Sequence, residues 1–316
     1  MMATPLNLKE LSKQEELFAP GHRMCAGCGA PIVVKMVMMA AQHPVVVANA
    51  TGCLEVSTCI AENTSWKAPW IHTAFENAAA TLAGAETMYR SLRKQGKLEG
   101  DIKFIAFGGD GGTADIGLQS LSGAMERGHD MTYICYDNGA YMNTGIQRSS
   151  ATPFGADTTT CPVGSQNPGK LQHRKDLTRI MAAHGIPYVA QASPSHWQDL
   201  MTKVRKALDI KGPKFINIIA PCNRGWRTEM DDAIKLSRLA VETCYWPLFE
   251  IENGVTRITT MPREKKPLTD FMKPQGRFKH LFQPGNEWML AAAQEHVDAC
   301  WERLQKEQAS PIRHRG

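Results

Sequence analysis

No stretch of this 316-residue chain stays apolar for the roughly eighteen residues that a membrane span requires, so none is expected. The N-terminal residues MMATPLNLKELSKQEELFAPGH mix acids, lysines and prolines and carry no apolar signal core, which predicts a cytoplasmic protein. No G-x-G-x-x-G follows the first strand-like runs, and no G-x-x-x-x-G-K-S/T is present. Neither a nicotinamide dinucleotide nor ATP finds its usual cradle. Charge runs are missing as well. The net charge of +5 is spread thinly, and without a basic stripe or an aromatic-studded module a nucleic-acid role is not expected. A mildly basic surface remains compatible with docking an acidic protein carrier. Internal repeats and low-complexity tracts are absent.

What is present is a chain that is 43% apolar and 21% charged. That is enough to bury a sizeable core in one large domain or two smaller ones. It also carries nine cysteines. In a reducing compartment an odd, large cysteine count points to metal or redox work rather than to a disulfide framework.

Short β-branched runs alternate with helical patterns. Val45–Ala48, Lys103–Phe107, Thr132–Tyr136 and Phe215–Ile219 are apolar on both faces and end at turn-forming residues, as buried parallel strands do. Helix-length segments fall near 31–42, 73–95, 114–127, 174–184 and 195–210. The alternation predicts an α/β fold, a largely parallel sheet flanked by helices on both faces. Ligands of such folds bind beyond the carboxyl ends of the strands. Four loops there, Asn49-Ala50-Thr51, Gly108–Gly112, Asp137–Gly145 and Pro221-Cys222, should converge on one crevice. Residues 139–172 are rich in Gly, Thr, Ser and Pro, as functional or disordered loops are. We expect an N-terminal arm over 1–18, a cofactor-binding domain over 19–225, and an extension over 226–316, with a last helix near 286–307, that packs on the domain or a partner.

Two constellations carry chemistry. Cys25-Ala-Gly-Cys28 lets two thiolates face one centre, and Cys53 and Cys222 follow strands at the crevice. Four cysteines suit an iron–sulfur cluster or zinc, and the Cys-x-x-Cys pair alone suits a redox dithiol. Cys59 is the rival for the third position, whereas Cys135, Cys161, Cys244 and Cys300 read as small buried or incidental thiols. The second constellation is Phe107-Gly108-Gly109-Asp110-Gly111-Gly112, a strand running into a Gly-rich turn and a helix. Its glycines let backbone N–H groups approach phosphate oxygens. Asp110, the Asn138 side chain and the Ala140 carbonyl offer hard oxygens to Mg2+.

From Asp110 to Asn138 the chain resembles the thiamine diphosphate motif, GDG followed by asparagine. Together with Cys25-Ala-Gly-Cys28-Gly29, Asn49-Ala-Thr51-Gly52-Cys53, Trp66-Lys-Ala-Pro-Trp70-Ile-His72-Thr-Ala-Phe75-Glu76-Asn77 and Pro221-Cys222-Asn-Arg-Gly-Trp226, it resembles the β subunits of pyruvate:ferredoxin oxidoreductases over about residues 19–226. The resemblance implies a thiamine diphosphate-binding fold. It also implies oxidative decarboxylation of a 2-oxo acid, pyruvate by default, with CoA taking the acyl group and electrons leaving through a [4Fe-4S] cluster to ferredoxin or another electron carrier.

The same resemblance implies that Cys25, Cys28, Cys53 and Cys222 hold the cluster, and that Asp110, Asn138 and Ala140 hold Mg2+. Thr51, Gly52, Gly109, Gly111 and Gly112 would face the cofactor. Asn143 would lie near the reacting carbon, where its amide could donate to a developing oxyanion, with Thr144 beside it. His72 is the histidine favoured for proton work over His22, His129, His173 and His184. The segment from Thr152 to Pro162 resembles one near the substrate pocket. Ala30 stands where many single-chain members have glutamate, which puts a pyrimidine-side contact in doubt. The glutamate that activates the aminopyrimidine is expected from an α-type subunit, with γ/δ-type subunits completing the enzyme. Glu55, Glu62 and Glu76 are read as structural or surface residues. Oxalate, phenylglyoxylate and branched-chain oxo acids are the rival substrates, and a zinc-stapled, non-catalytic scaffold is the rival of another class.

Overall fold

The computed structural model of the protein describes residues 6–60 and 62–309. The first five residues of the expected N-terminal arm and the last seven of the extension thus lie outside the described residues. Eight strands form one sheet: β1 (Val45–Ala50), β2 (Trp70–Thr73), β3 (Lys103–Gly109), β4 (Thr132–Asp137), β5 (Tyr188–Ala192), β6 (Lys214–Ile219), β7 (Leu248–Glu252) and β8 (Val255–Thr260). Their spatial order is β2-β1-β3-β4-β6-β5-β7-β8. The first six run parallel, while β7 joins β5, and β8 joins β7, antiparallel.

The four strands expected from sequence form the centre of this sheet and extend it by a residue or two. Their continuous apolar runs are buried on both sides, as crossover helices require. On one face the Gly29–Ala40 and Trp197–Asp209 helices pack through Val33, Val37, Leu200 and Val204 onto Val47, Ile105 and Ile216. On the other, the Ala78–Lys94 and Leu118–Glu126 helices bring Leu82 and Leu121 against Ala48, Ala106 and Tyr133. Alanines and glycines in these strands let the helices approach closely.

Beyond Trp226 the chain adds more than a surface cover. It supplies the two antiparallel strands, the Ala233–Glu242 helix and the long Glu287–Ala309 helix. Trp246, Phe249, Phe271 and Trp301 share a single core with Ala156 and Ile219 of the preceding region.

The order reverses at β1, with β2 on one side and β3 on the other. The carboxyl ends on both sides of that reversal open toward the same rim. Register fixes the rim: Ala50 pairs with Thr73, Gly109 with Tyr136, and Asp137 with Ile219. The loops that leave these ends are therefore brought level.

Candidate active site

One cleft on this rim collects Thr51, Gly52, Cys53, Gly109, Gly111, Gly112, Asn138, Ala140, Asn143 and Thr144, together with Phe75, Tyr136, Tyr141 and Met142. Each loop reaches it for a local reason. Gly52 adopts φ 157° and ψ −170°, a region open essentially to glycine. A Cβ there would also stand 3.0 Å from the Tyr136 hydroxyl. That turn starts the Cys53–Thr58 helix on its cysteine. After β3 the chain enters a π-helical turn over Gly112–Ile116, closed by the Gly117 amide donating to the Gly112 carbonyl at 2.8 Å. Such turns recur at functional sites. The Tyr141 hydroxyl donates to the Gly111 carbonyl over 2.8 Å and pins the two loops together.

Asp110 lies at the floor, fully buried. Its Oδ1 accepts from the Asn138 and Gly139 amides at 3.3 and 3.2 Å, and its Oδ2 accepts from the Ser149 hydroxyl. Burial, and then the neighbouring Asp137, push its carboxyl above the usual carboxylate range. Asp137 is buried too, and ion-paired with Arg174. The Asn138 amide oxygen stands 2.9 Å from both the Ala140 carbonyl oxygen and Asp110 Oδ1. In this rotamer three oxygens face one another. Adjacent ligands of an octahedral ion with bonds of 2.0–2.1 Å are about 2.9 Å apart, so the donor set and its spacing suit magnesium. Without a cation, the same amide turned over would donate to both partners.

The cysteines gather beside this floor. The Gly29 amide donates to the Pro221 carbonyl at 2.8 Å, so the turns carrying Cys28 and Cys222 abut. A Cβ on Gly29 would meet Pro221 at 2.8 Å. Cys28 and Cys222 each cap a helix N-terminus. The Cys222 sulfur accepts from the Gly225 amide at 3.3 Å. Burial pushes the Cys28 thiol up to about 12 and the Cys53 thiol up to about 11, with neighbouring cysteines adding to both. Cys25 is exposed. Cys59 turns the other way and donates to Glu55 Oε1 at 3.1 Å, which favours Cys53 as the third sulfur of the set. Among the described residues no three His, Cys, Asp or Glu side chains close on a single ion.

His72 reaches the rim from β2. Its Nε2 lies 3.2 Å from the Thr51 hydroxyl and 3.5 Å from Glu55 Oε1, which the helix after Cys53 buries. Other histidines are engaged elsewhere: His129 with Glu86, His184 with Ser122, His173 stacked on His296, and His22 on Phe18. The Thr144 hydroxyl donates within its own turn to Gln147. Glu62 is exposed and Glu76 half-buried.

Residues that sequence spacing did not single out complete the floor. The 139–172 segment contains no regular element, yet much of it is buried. Lys170, itself buried, donates to the carbonyls of Ser150, Thr152 and His173 and holds it down. Arg277 comes from the C-terminal region, with its guanidinium carbon 4.2 Å from the Trp226 ring. These contacts join distant segments, and the signal for them was limited to polar residues in a chain stretch too long for an idle loop.

A parallel α/β sheet that presents a Gly-Asp-Gly turn and an asparagine at its switch point defines a diphosphate-binding class, and comparison with known proteins gives it a name. Residues 50–218 match the family described as thiamine pyrophosphate enzyme, C-terminal TPP binding domain. The chain is 54% identical over 310 residues to pyruvate synthase subunit PorB of Thermotoga maritima, covering 95% of this chain and 96% of that one. It is 58% identical over 270 residues to its namesake in Methanocaldococcus jannaschii, covering 85% and 91%. Ketoisovalerate oxidoreductase subunit VorB of Pyrococcus horikoshii is 45% identical over 295 residues, covering 92% and 93%. A solved 2-oxoglutarate:ferredoxin oxidoreductase from Magnetococcus marinus shares the fold at 19% identity and a TM-score of 0.56, covering 74% of this chain and 84% of that one. The chain belongs to the β-subunit family of thiamine diphosphate-dependent 2-oxoacid:ferredoxin oxidoreductases, enzymes built from several subunits. No helix among the described residues is long and apolar enough to cross a membrane.

Proposed function

We propose that this chain is the subunit of a cytoplasmic pyruvate:ferredoxin oxidoreductase that carries thiamine diphosphate, Mg2+ and a [4Fe-4S] cluster, and that it converts pyruvate and CoA to acetyl-CoA and CO2. The observation that carries this reading is the adjacency of two donor sets on one rim. Hard oxygens of Asp110, Asn138 and Ala140 face one another, Cys53 lines the same cleft, and the Gly29–Pro221 hydrogen bond sets the turns of Cys28 and Cys222 side by side. Bound there, thiamine diphosphate would supply the electron sink for decarboxylation and a [4Fe-4S] cluster would supply a one-electron acceptor.

The remaining work belongs to this chain. Asp110, Asn138 and the Ala140 carbonyl would hold Mg2+, and backbone amides from Gly109 to Gly112 would face the diphosphate. The Gly225 amide, which donates to the Cys222 sulfur, would stabilise a thiolate there and tune a cluster's potential. Asn143 lines the same cleft as Cys53, Gly109 and Gly111. Thr51 and His72 form a hydrogen-bonded pair at the entrance that can relay a proton. The glutamate that activates the aminopyrimidine would come from an α-type subunit, since Glu55 is committed to Cys59 and His72. γ/δ-type subunits and ferredoxin would then carry the electrons away.

The likeness to the ketoisovalerate enzyme supports a second substrate reading, branched-chain oxo acids, with unchanged chemistry. Iron, sulfide and thiamine analysis of the purified complex, followed by turnover on an oxo-acid panel, tests both. We expect iron and sulfide bound to this chain and the highest kcat/KM on pyruvate. A complex whose β chain holds zinc and no thiamine would support the scaffold reading instead.

A further inference from the structure

Building on that reading, we infer that Trp226 is a positioning residue that ties the Cys222 turn to the metal loop, so that filling one site is felt at the other. The indole N–H donates to the main-chain carbonyl of Asn138 at 2.6 Å. The N–H of the same peptide unit, that of Gly139, donates to Asp110 Oδ1 and to Asp137 Oδ1, at 3.2 Å each. Both polar ends of the Asn138–Gly139 peptide are therefore held. Immediately after it Gly139, at φ +78°, swings the chain so that the Ala140 carbonyl returns to face the Asn138 amide. Turning that peptide would withdraw the Gly139 amide from Asp110 and reset the backbone from which the Asn138 side chain and the Ala140 carbonyl project.

The other end of the tie is the cysteine turn. The Trp226 amide donates to the Cys222 carbonyl at 2.8 Å, and the Gly225 amide just before it donates to the Cys222 sulfur. One residue thus closes the turn that presents the thiolate and clamps the peptide that presents the metal ligands. Its ring lies under the Arg277 guanidinium at 4.2 Å and meets the edge of Phe271 at 5.9 Å. A cation over an indole face draws electron density from the ring and makes its N–H a better donor. Coupling of this kind is reciprocal: what the cluster turn does to the metal loop, the metal loop does to the cluster turn.

The test uses the assembled complex. Trp226→Phe keeps an aromatic ring and removes the N–H, leaving a buried carbonyl without its donor. 3-Benzothienylalanine placed at 226 keeps the full bicycle and covers the case in which the phenylalanine variant does not assemble. We expect half-saturating Mg2+, measured by thiamine diphosphate binding, to rise about five- to thirty-fold in either variant. We also expect the reduced cluster's EPR spectrum to shift on Mg2+–thiamine diphosphate binding in the wild type, and not in the variants. Phe271→Leu disturbs the same packing without touching the N–H, and should lower the melting temperature while leaving the Mg2+ titration within about twofold. A Trp226→Phe titration indistinguishable from wild type, an equal effect in Phe271→Leu, or an EPR shift that survives in the variant overturns the assignment. A wild-type complex with no iron on this chain refutes the functional reading itself, and is known before any variant is made.

Discussion

The Gly29 amide and the Pro221 carbonyl meet at 2.8 Å, and this contact joins two cysteine-bearing turns that lie almost two hundred residues apart in the chain. It also explains the residue after Cys28. Any side chain larger than hydrogen at Gly29 would drive against the Pro221 backbone. Gly29→Ala should therefore part the Cys28 and Cys222 turns, and we expect iron content per chain to fall by more than half while thiamine diphosphate binding declines less.

Removing sulfurs one at a time separates the cluster set from its rival. Cys28→Ser, Cys53→Ser and Cys222→Ser should each yield complexes with little or no iron and no low-potential EPR signal. Cys59→Ser, whose sulfur bonds to Glu55, should keep both. Retention of a full cluster in Cys53→Ser together with its loss in Cys59→Ser would reverse the assignment.

Ser149 braces Asp110 from below. Its hydroxyl donates to Oδ2, leaving Oδ1 for the loop amides and the ion. Deleting one hydrogen bond to a charged group costs about 1.5–3 kcal/mol. Ser149→Ala should thus weaken Mg2+-dependent thiamine diphosphate binding by roughly ten- to a hundred-fold, read by isothermal calorimetry, with little change in iron content.

Lys170 gives a pH signature. Burial, with Arg148 and Arg174 nearby, brings its ammonium down to about 8 from the ordinary 10.5. A depressed lysine is charged in both folded and unfolded chains below pH 8, so its cost to the fold is fully present there. As pH rises from 8 to 10.5 the folded chain sheds the proton while the unfolded chain keeps it, and stability is gained. Measured as the difference between wild type and Lys170→Met, the stability gap should move in favour of wild type across that window. A flat difference would show that the ammonium is not desolvated.

These residues also mark where the sequence stops being legible. The central strands were readable because continuous apolar runs have one common use in an α/β chain. Trp70–Thr73 was not, since an exposed edge strand of Trp-Ile-His-Thr has neither alternation nor a long run, and Tyr188–Ala192 hides its strand among small residues. The last two strands were taken into an extension because antiparallel additions at a sheet edge leave no helix-crossover rhythm. Within the site, Asp110 and Asn138 declared themselves by sharing a motif, and Cys53 by following a strand. Ser149, Lys170 and Arg277 could not, because each acts on a partner that only folding brings near. Asn143 was expected at the reacting carbon, and it lines the same cleft as Cys53.

The exposure of Cys25 has a consequence for the life of the enzyme. Three sulfurs of the set are sheltered and one corner is open to solvent. In the proposed site that corner is the nearest way out for electrons, where a docked carrier or the next redox centre could approach. Dioxygen could enter by the same opening. The geometry that makes the enzyme quick to discharge would also make it perishable in air, unless a neighbouring subunit closes the corner.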